Sequence, residues 1–293
     1  MAALLYYLIL KPISWLPYPL LYGLSDFLFL ILYRGVGYRK EVVRTNLTNS
    51  FPEKSLKEIQ VIEQKFYHHL CDLIIESIKA FSISEKQLLK RAKIRNPEVL
   101  QPYFDQGRSV VIASSHYNSW EMAGTASDRQ MAHQSIGIYA PLRQPFFDKK
   151  AKASRSKFGI IMVSVKGLKD FFNEYQGPPT ATLFATDQSP RKVESAYWTT
   201  FLHQDTGVMR GSEVYAKKHD WPIFWGRIYK VKRGHYESSF ELITDQPREW
   251  AEGEIIETYT RMLEADIRAE PAYWLWSHKR WKRKRPENLQ SPH

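Results

Sequence analysis

The chain has 293 residues, of which 43% are hydrophobic and 25% are charged, so it can bury a sizeable globular core. Its formal net charge is +11, which favours an acidic partner such as nucleic acid, anionic lipid head groups or an acidic carrier protein. A single cysteine, Cys71, excludes an internal disulfide and any zinc site built from several cysteines.

The first 38 residues differ in composition from the rest of the chain. Up to Tyr33 the only charged side chains are Lys11 and Asp26, and leucine and aromatic residues dominate. Prolines and a glycine break this segment into pieces shorter than the roughly 20 apolar residues of a spanning helix. Membrane attachment through residues 1–38 is therefore predicted over a plain buried helix, while a tilted span, a hairpin and an interfacial anchor stay open. Four basic residues follow and favour a cytoplasmic position for the next domain: Arg34, Arg39, Lys40 and Arg44.

The predicted second domain, 39–293, begins with helices. Between residues 39 and 92 the apolar side chains recur at three- and four-residue steps, which is the periodicity of amphipathic helices. Cys71 falls inside this pattern and is predicted to be a buried structural thiol. The apolar stripe comprises Ile59, Ile62, Phe66, Leu70, Leu73, Ile74 and Ile78.

From residue 109 onward, short β-branched runs alternate with helical patterns. Strands are predicted at 109–114, 136–139, 160–165, 180–185, 222–228 and 240–243. Helices are predicted at 119–129, 146–158, 167–175, 211–219 and 252–269. This alternation predicts an α/β fold, an αβα sandwich around a mixed, largely parallel sheet.

The strongest candidate for chemistry follows the strand predicted at 109–114. His116 stands at the strand end, where catalytic groups of α/β sheets gather, and Glu121 opens the next helix, which Asn118 or Ser119 is predicted to cap. Positions five apart in one helix lie about 140° apart, so the pair can meet only if His116 lies in the loop. A carboxylate bonded to one imidazole nitrogen leaves the other nitrogen free as a general base. On spacing alone, a structural histidine would be favoured.

The His-x4-Glu pattern after a buried strand resembles the signature of the glycerolipid acyltransferase superfamily. It has the Glu form found in the late lipid A acyltransferases (lauroyl and myristoyl transferases). Further segments resemble that family in the same order: Tyr139-Ala140-Pro141-Leu142, Asp148, Arg155-Ser156-Lys157-Phe158-Gly159 and the turn Asp187-Gln188-Ser189-Pro190. The most distinctive block is 271–282, Pro-Ala-Tyr-Trp-Leu-Trp-Ser-His-Lys-Arg-Trp-Lys. The resemblance covers nearly the whole chain.

The resemblance implies a membrane-bound O-acyltransferase at the cytoplasmic face of the inner membrane. It implies acyl carrier protein as donor, a hydroxyl of a lipid A precursor (an anionic glycolipid) as acceptor, and no cofactor. The His116/Glu121 dyad is assigned to catalysis, and a basic surface would suit both an acidic carrier and an anionic lipid. The candidate substrate-binding residues are Arg155, Asp187, Asn118 and Tyr139.

Two of these residues have simpler interpretations. Arg155 by itself would be a solvated charge, but the resemblance makes it a contact for an acceptor phosphate or the developing oxyanion. Asp187 can simply begin a turn, although its position after a strand keeps a site role open. Ala140 and Gln144 stand where that family commonly has Arg and Asn, so different head-group or acyl contacts are expected there.

The basic run near the C-terminus is interleaved with tryptophans. Such a run by default is a solvated tail or a nucleic-acid patch. Beside Trp274, Trp276 and Trp281 it instead predicts an interfacial anchor on anionic lipid, with His278 buried behind the rings and not catalytic. The run comprises Lys279, Arg280, Lys282, Arg283, Lys284 and Arg285.

Two alternatives stay open. One is an acyltransferase of the same fold that acts on another acceptor, such as a phospholipid or an aminolipid. The other is a non-enzymatic basic protein that binds membrane or nucleic acid, although no base-reading motif supports a nucleic-acid partner. The sequence has no Gly-rich phosphate loop, no Gly-x-Ser-x-Gly elbow and no histidines at metal-ligand spacing, which disfavours an NTPase, a serine hydrolase and a metal site.

Overall fold

The structure, a computed structural model, describes residues 1–287 and is built around a seven-stranded sheet. The strands are β1 (Ala92–Ile94), β2 (Val110–Ser114), β3 (Gln134–Tyr139), β4 (Ile161–Ser164), β5 (Thr180–Ala185), β6 (Tyr197–Phe201), β7 (Gln204–Val208), β8 (Ile223–Lys232) and β9 (His235–Thr244). The sheet order is β1-β9-β8-β2-β5-β3-β4, and β6 and β7 form a separate hairpin. Only β8 and β9 pair antiparallel within the sheet, which confirms the mixed, largely parallel arrangement. The last six residues of the predicted 39–293 domain lie outside the described residues.

Twelve α-helices are found in residues 1–287. They are α1 (Ala2–Leu5), α2 (Lys11–Trp15), α3 (Tyr18–Phe29), α4 (Lys40–Ser50), α5 (Leu56–Lys79), α6 (Glu85–Arg91), α7 (Gln101–Asp105), α8 (Trp120–Ser127), α9 (Pro145–Arg155), α10 (Leu168–Glu174), α11 (Gly211–His219) and α12 (Glu254–Ala269). Short π-helical turns, Tyr6–Leu10 and Leu30–Gly35, join α1 to α2 and extend α3. Each strand and helix predicted from residue 109 onward is present; β5 and α11 have the predicted bounds, and the bounds of the others differ by up to five residues.

The strand β1, the short helix α7 and the β6–β7 hairpin were not predicted. The hairpin turns through Leu202 and His203, which both have positive φ, 49° and 63°. Two-residue turns of this kind are usually marked by Asn or Gly. Neither residue type stands there, so the sequence carries no hairpin signal.

Helices cover both faces of the sheet. Val111 and Ala113 of β2 pack in one core with residues of α5, α11 and α12. Val110 and Ile112, which point the other way, pack in a second core beside Tyr103 of α7. The central strands are therefore buried on both sides, as the continuous β-branched runs predicted. Cys71 is buried in the first core, as expected.

The helices α2 and α3 pack on α5, α1 lies against α9, and this segment leaves many apolar side chains exposed. Leu21 of α3 is fully buried. The hydroxyl of Ser25 donates to Asp72 Oδ1 at 2.7 Å, and Lys79 Nζ donates to the carbonyl of Ser14 at 3.0 Å. The exposed apolar residues of this segment include Leu4, Leu5, Tyr7, Leu8, Ile9, Trp15, Leu20, Leu24, Phe27, Leu30 and Ile31.

Within residues 1–287, no single helix combines the length and the apolar character needed to cross a membrane. The consecutive segments Tyr18–Gly35 and Lys40–Ser50 meet both criteria only when taken together, and they are bent by 84°. The boundary between residues 38 and 39 stays a prediction.

Two tryptophans of the C-terminal aromatic block lie in the core, so the interfacial anchor predicted for Trp274 and Trp276 is wrong. Trp274, Trp276 and Arg280 are all buried. The Trp276 indole N–H donates to the carbonyl of Pro271 at 2.5 Å, and Arg280 Nη2 donates to the carbonyl of Gly207 at 2.7 Å. Partners inside the protein satisfy these polar groups, which leaves the rings unavailable to lipid.

Arg233, in the turn after β8, holds α3 and α5 together through two carboxylates. Its Nε donates to Asp72 Oδ1 at 3.0 Å and its Nη2 to Asp26 Oδ1 at 2.6 Å. Replacing Arg233 with Met leaves the buried Asp72 short of a charged donor, so the free energy of unfolding should fall by about 1–3 kcal/mol. Urea denaturation in mild detergent measures the change.

The exposed pair Arg95–Glu237 supplies a matched control. Arg95→Met removes the same type of ion pair from the surface and should cost about 0–1 kcal/mol. Equal losses in the two variants would contradict a structural role for the Arg233 contacts.

Candidate active site

The register of two parallel strands brings together the residues that follow them. Ser114 at the end of β2 lies opposite Ala185 at the end of β5. His116 and Asp187 each come two residues later, so parallel pairing places them side by side at the carboxyl edge of the sheet. The two loops are joined by the backbone N–H of Thr186, which donates to the carbonyl of Ser114 at 2.9 Å.

Asp187 is buried and uses both of its carboxylate oxygens. Oδ1 accepts from His116 Nδ1 at 2.7 Å, and Oδ2 accepts from the His116 backbone N–H at 2.9 Å and from Trp274 Nε1 at 2.8 Å. Burial raises the pKa of this carboxyl, but the charge of His116 and these hydrogen bonds outweigh it and hold the pKa at about 2. Asp187 is therefore ionised at neutral pH.

The imidazole of His116 is held in one tautomer. Because Asp187 accepts from Nδ1, that nitrogen carries the proton of the neutral ring and Nε2 keeps a lone pair. The side chain is 17% exposed, and its ring packs edge-on against Trp120. Burial lowers the pKa of His116, but the charge and hydrogen bond of Asp187, with the charge of Glu121, raise it above its ordinary value. This arrangement is that of a general base.

Glu121 does not contact His116 as the sequence predicted; it binds Arg155. Arg155 Nε donates to Glu121 Oε2 at 2.7 Å, and Arg155 Nη2 donates to Oε1. Glu121 does lie in the first turn of α8, as expected, and its charge reaches the imidazole. The carboxylate that orients the ring is nevertheless Asp187, because the strand register turns His116 towards the loop after β5.

Tyr139 lies near Arg155 at the same edge of the sheet. It ends β3, which is the neighbour of β5. Burial and the charge of Asp148 raise the pKa of Tyr139, while the charge of Arg155 lowers it less, so the net direction is upward. Asp148 Oδ1 accepts from the backbone N–H of Leu142 at 2.7 Å, which fixes the loop before α9. The structure thus gathers Tyr139, Arg155 and Glu121 beside the His116–Asp187 pair.

Asn118 points away from this cluster. It is buried with a positive φ of 55°, and its Nδ2 donates to the carbonyl of Ile228 at 2.8 Å. The amide nitrogen of Asn118 is used to bind β8, and the predicted contact of this residue with substrate stays a prediction. The predicted helix cap is absent: Ser119 takes the N-cap position of α8 without a capping bond, and its hydroxyl donates to Glu76 Oε2 at 3.1 Å.

Two residues of this site, Gln188 and Trp274, were not predicted to belong to it. Gln188 Nε2 lies 3.0 Å from His116 Nε2. Trp274 donates to Asp187 from 87 positions along the chain, so no local pattern reveals the contact. Gln188 stood in the Asp-Gln turn of the resemblance, which was the only signal pointing to it.

His278 holds the loop after Asp187; that it takes no part in catalysis stays a prediction. The backbone N–H of Ser189 donates to His278 Nε2 at 3.1 Å. Burial lowers the pKa of His278 to about 4, so the ring is a neutral acceptor at neutral pH.

A small cavity borders Glu121. Apolar side chains of Ile83, Leu88 and Met122 form much of its lining, with Glu76 among the polar groups. In the part of the chain that the structure describes, no three His, Cys, Asp or Glu residues are grouped closely enough to hold a metal ion.

Comparisons with known proteins agree along nearly the whole chain. The family described as "Bacterial lipid A biosynthesis acyltransferase" matches residues 1–283. The chain is 23% identical over 285 residues to the lipid A biosynthesis acyltransferase of Haemophilus influenzae, covering 96% of this chain and 90% of that protein. It is 22% identical over 280 residues to the lipid A biosynthesis lauroyltransferase of Escherichia coli, with 94% and 89% covered. It is 20% identical over 269 residues to the lipid A biosynthesis palmitoleoyltransferase of Escherichia coli, with 91% and 86% covered.

The two carboxylates near His116 should affect its pKa unequally. Asp187→Asn removes the charge and the hydrogen-bond acceptor at Nδ1, so the pKa of His116 should fall more than in Glu121→Gln, which removes a charge that does not touch the ring. Nuclear magnetic resonance titration of the His116 imidazole, assigned by its loss in His116→Asn, measures both shifts. A larger fall of the His116 pKa in Glu121→Gln than in Asp187→Asn would support the His116/Glu121 pair predicted from the sequence.

Proposed function

Because the chain belongs to the bacterial lipid A biosynthesis acyltransferase family, we propose that it transfers a fatty acyl chain to a hydroxyl of a lipid A precursor. The protein is an acyltransferase, so the non-enzymatic alternative is set aside. The observation that carries the proposal is the His116–Asp187 hydrogen bond, which leaves Nε2 with a lone pair at the carboxyl edge of the sheet. That geometry supports removal of a proton from a hydroxyl.

In the proposed reaction, His116 Nε2 takes the proton of the acceptor hydroxyl while that oxygen attacks the carbonyl carbon of an acyl thioester. The tetrahedral oxyanion collapses, the carbon–sulfur bond breaks, and the imidazolium returns its proton to the departing thiolate. The products are an ester and a free thiol, and the neutral imidazole is restored. No bond forms between the acyl group and the protein.

Asp187 is proposed as the residue that positions the base. A buried carboxylate at Nδ1 keeps the ring in the productive tautomer and stabilises the imidazolium as it forms. Glu121 is proposed to add negative charge near the same ring and to hold Arg155. Arg155 is in turn proposed to contact a phosphate of the acceptor, which a guanidinium binds bidentately, and Tyr139 to lie along the same substrate.

Acyl carrier protein is proposed as the acyl donor. The formal net charge of +11 supports association with an acidic carrier and with an anionic glycolipid. The names of the relatives differ in the acyl chain they state, lauroyl and palmitoleoyl, so they do not set the chain length used here.

Attachment to the cytoplasmic face of the inner membrane is proposed through the first 38 residues. The many apolar side chains that the segment from α1 to α3 exposes support burial in the interfacial region of a bilayer. The basic residues that follow, beginning with Arg34, support a cytoplasmic orientation.

The direct test is transfer of labelled acyl groups from acyl carrier protein to a purified lipid A precursor. His116→Asn should lower kcat about 10²–10⁴-fold, since it removes the general base. His203→Asn, at an exposed turn with positive φ that Asn tolerates, is the matched control and should retain full activity. Unimpaired turnover by the His116→Asn variant would contradict the proposed general-base mechanism.

The identity of the acceptor is read from the same assay. If wild-type protein leaves the lipid A precursor unmodified but consumes the donor on total membrane lipid, the proposed acceptor is wrong. Mass spectrometry of the acylated lipid then identifies the true one.

The pH dependence of kcat follows from the raised pKa of His116. The base acts only when neutral, so kcat should rise with pH through that pKa, which lies above about 6.5. Raising the pKa therefore moves the acid limb of the profile to higher pH. Initial rates at saturating donor and acceptor between pH 5 and about 9 test this, and an acid limb below the ordinary histidine range would contradict it.

A further inference from the structure

The carboxamide of Gln188 is hydrogen-bonded to His116 Nε2, the nitrogen that acts as the base in the proposed mechanism. Gln188 Nε2 lies 3.0 Å from His116 Nε2. Since Nδ1 carries the proton and faces Asp187, the other ring nitrogen is an acceptor and the carboxamide N–H is its donor. The lone pair that must receive the proton of the acceptor hydroxyl is therefore already hydrogen-bonded.

The backbone on each side of Gln188 is fixed, so this contact is built into the loop. Before it, Thr186 donates to the carbonyl of Ser114 at 2.9 Å; after it, Ser189 donates to His278 Nε2 at 3.1 Å. The side chain of Gln188 is only partly exposed. Rotation about its own side-chain bonds is thus the motion left to the carboxamide.

An acceptor hydroxyl reaches His116 Nε2 only when the carboxamide leaves it. Because the backbone is held, the carboxamide stays within one side-chain rotation of the reacting atoms. Its released N–H then lacks an acceptor, and a partly buried donor without a partner is costly. The carbonyl oxygen of the thioester, which gains negative charge as the hydroxyl attacks, supplies that acceptor.

We propose that Gln188 is a catalytic residue that changes its hydrogen-bond partner during the reaction. In the free enzyme its N–H is bound by His116 Nε2; with both substrates present it donates to the oxyanion of the tetrahedral intermediate. No bond to Gln188 forms or breaks, and it transfers no proton. This role rests on the acyl transfer proposed above and supplies that reaction with a donor.

Arg155 is less suited to this role. Its Nε and Nη2 both donate to the Glu121 carboxylate, and charge-assisted bidentate pairs are stronger than neutral hydrogen bonds. Gln188 gives up only a neutral contact to move. The base and the oxyanion donor would then come from loops that the same strand pair, β2 and β5, holds together.

Two substitutions at Gln188 distinguish hydrogen-bond donation to the oxyanion from a merely structural role of this side chain. Gln188→Ala removes the donor and should lower kcat about 10²–10³-fold, with KM little changed, because an oxyanion exists only during the reaction. Gln188→Glu keeps the size of the side chain but replaces the donor with a carboxylate. Its plateau kcat should fall similarly, and its acid limb should move to higher pH, since a carboxylate beside Nε2 raises the pKa of His116.

Gln106 provides the matched controls. It is exposed and precedes β2, so it lies at the opposite edge of the sheet from the site. Gln106→Ala and Gln106→Glu should leave kcat and the acid limb unchanged. With an active wild type, a Gln188→Ala variant that keeps its kcat, or loses activity through KM alone, would overturn the catalytic role.

Titration of the His116 imidazole by nuclear magnetic resonance, without substrates, tests the contact independently of the reaction. A higher pKa of His116 in Gln188→Glu than in wild type supports it, and an unchanged pKa overturns it. Absence of transfer by the wild type would overturn the proposed function instead, while this titration still measures whether Gln188 touches the ring.

Discussion

Parallel pairing of β2 with β5 in one register is the constraint on which the site depends. Ser114 lies opposite Ala185, so the loops that begin there carry His116 and Asp187 to the same place. A slip of one residue would turn the side chains of either strand to the opposite face and part the imidazole from its carboxylate. Both strands are buried on two sides, so packing of the two cores, rather than either loop, sets the register.

The C-terminal block, residues 271–282, contacts both of the loops that β2 and β5 bring together. The indole of Trp274 donates to Asp187, and the backbone N–H of Asn118 donates to the carbonyl of Tyr273 at 3.0 Å. The segment that resembled a membrane anchor by composition therefore binds buried polar groups on both loops of the candidate site. The burial of Trp274 fits this contact, since a carboxylate without its donors would be costly in the core.

A single buried carboxyl connects the apolar N-terminal helices to the helix that carries Glu121. Glu76 on α5 accepts from Tyr22 of α3 at 3.0 Å, from Tyr236 of β9 at 3.1 Å and from Ser119 before α8 at 3.1 Å. Burial, with the nearby charge of Asp72, raises the pKa of Glu76 to about 7. The helices proposed to lie at the membrane and the catalytic loop are thus parts of one polar network.

Local sequence determined most of the elements and one half of the proposed catalytic pair. Apolar periodicity and β-branched runs report which positions are buried, so the central strands, α8 and the loop position of His116 follow from residues close together in the chain. Tertiary structure decided the partner of that histidine, the inward turn of Asn118 and the burial of Trp274. Periodicity shows that a face is buried without showing what covers it. The pairing of β2 with β5 also has no local signal, because β3 and β4 lie between them in the chain. The carboxylate nearest in sequence, Glu121, is therefore not the one that the sheet sets against the ring.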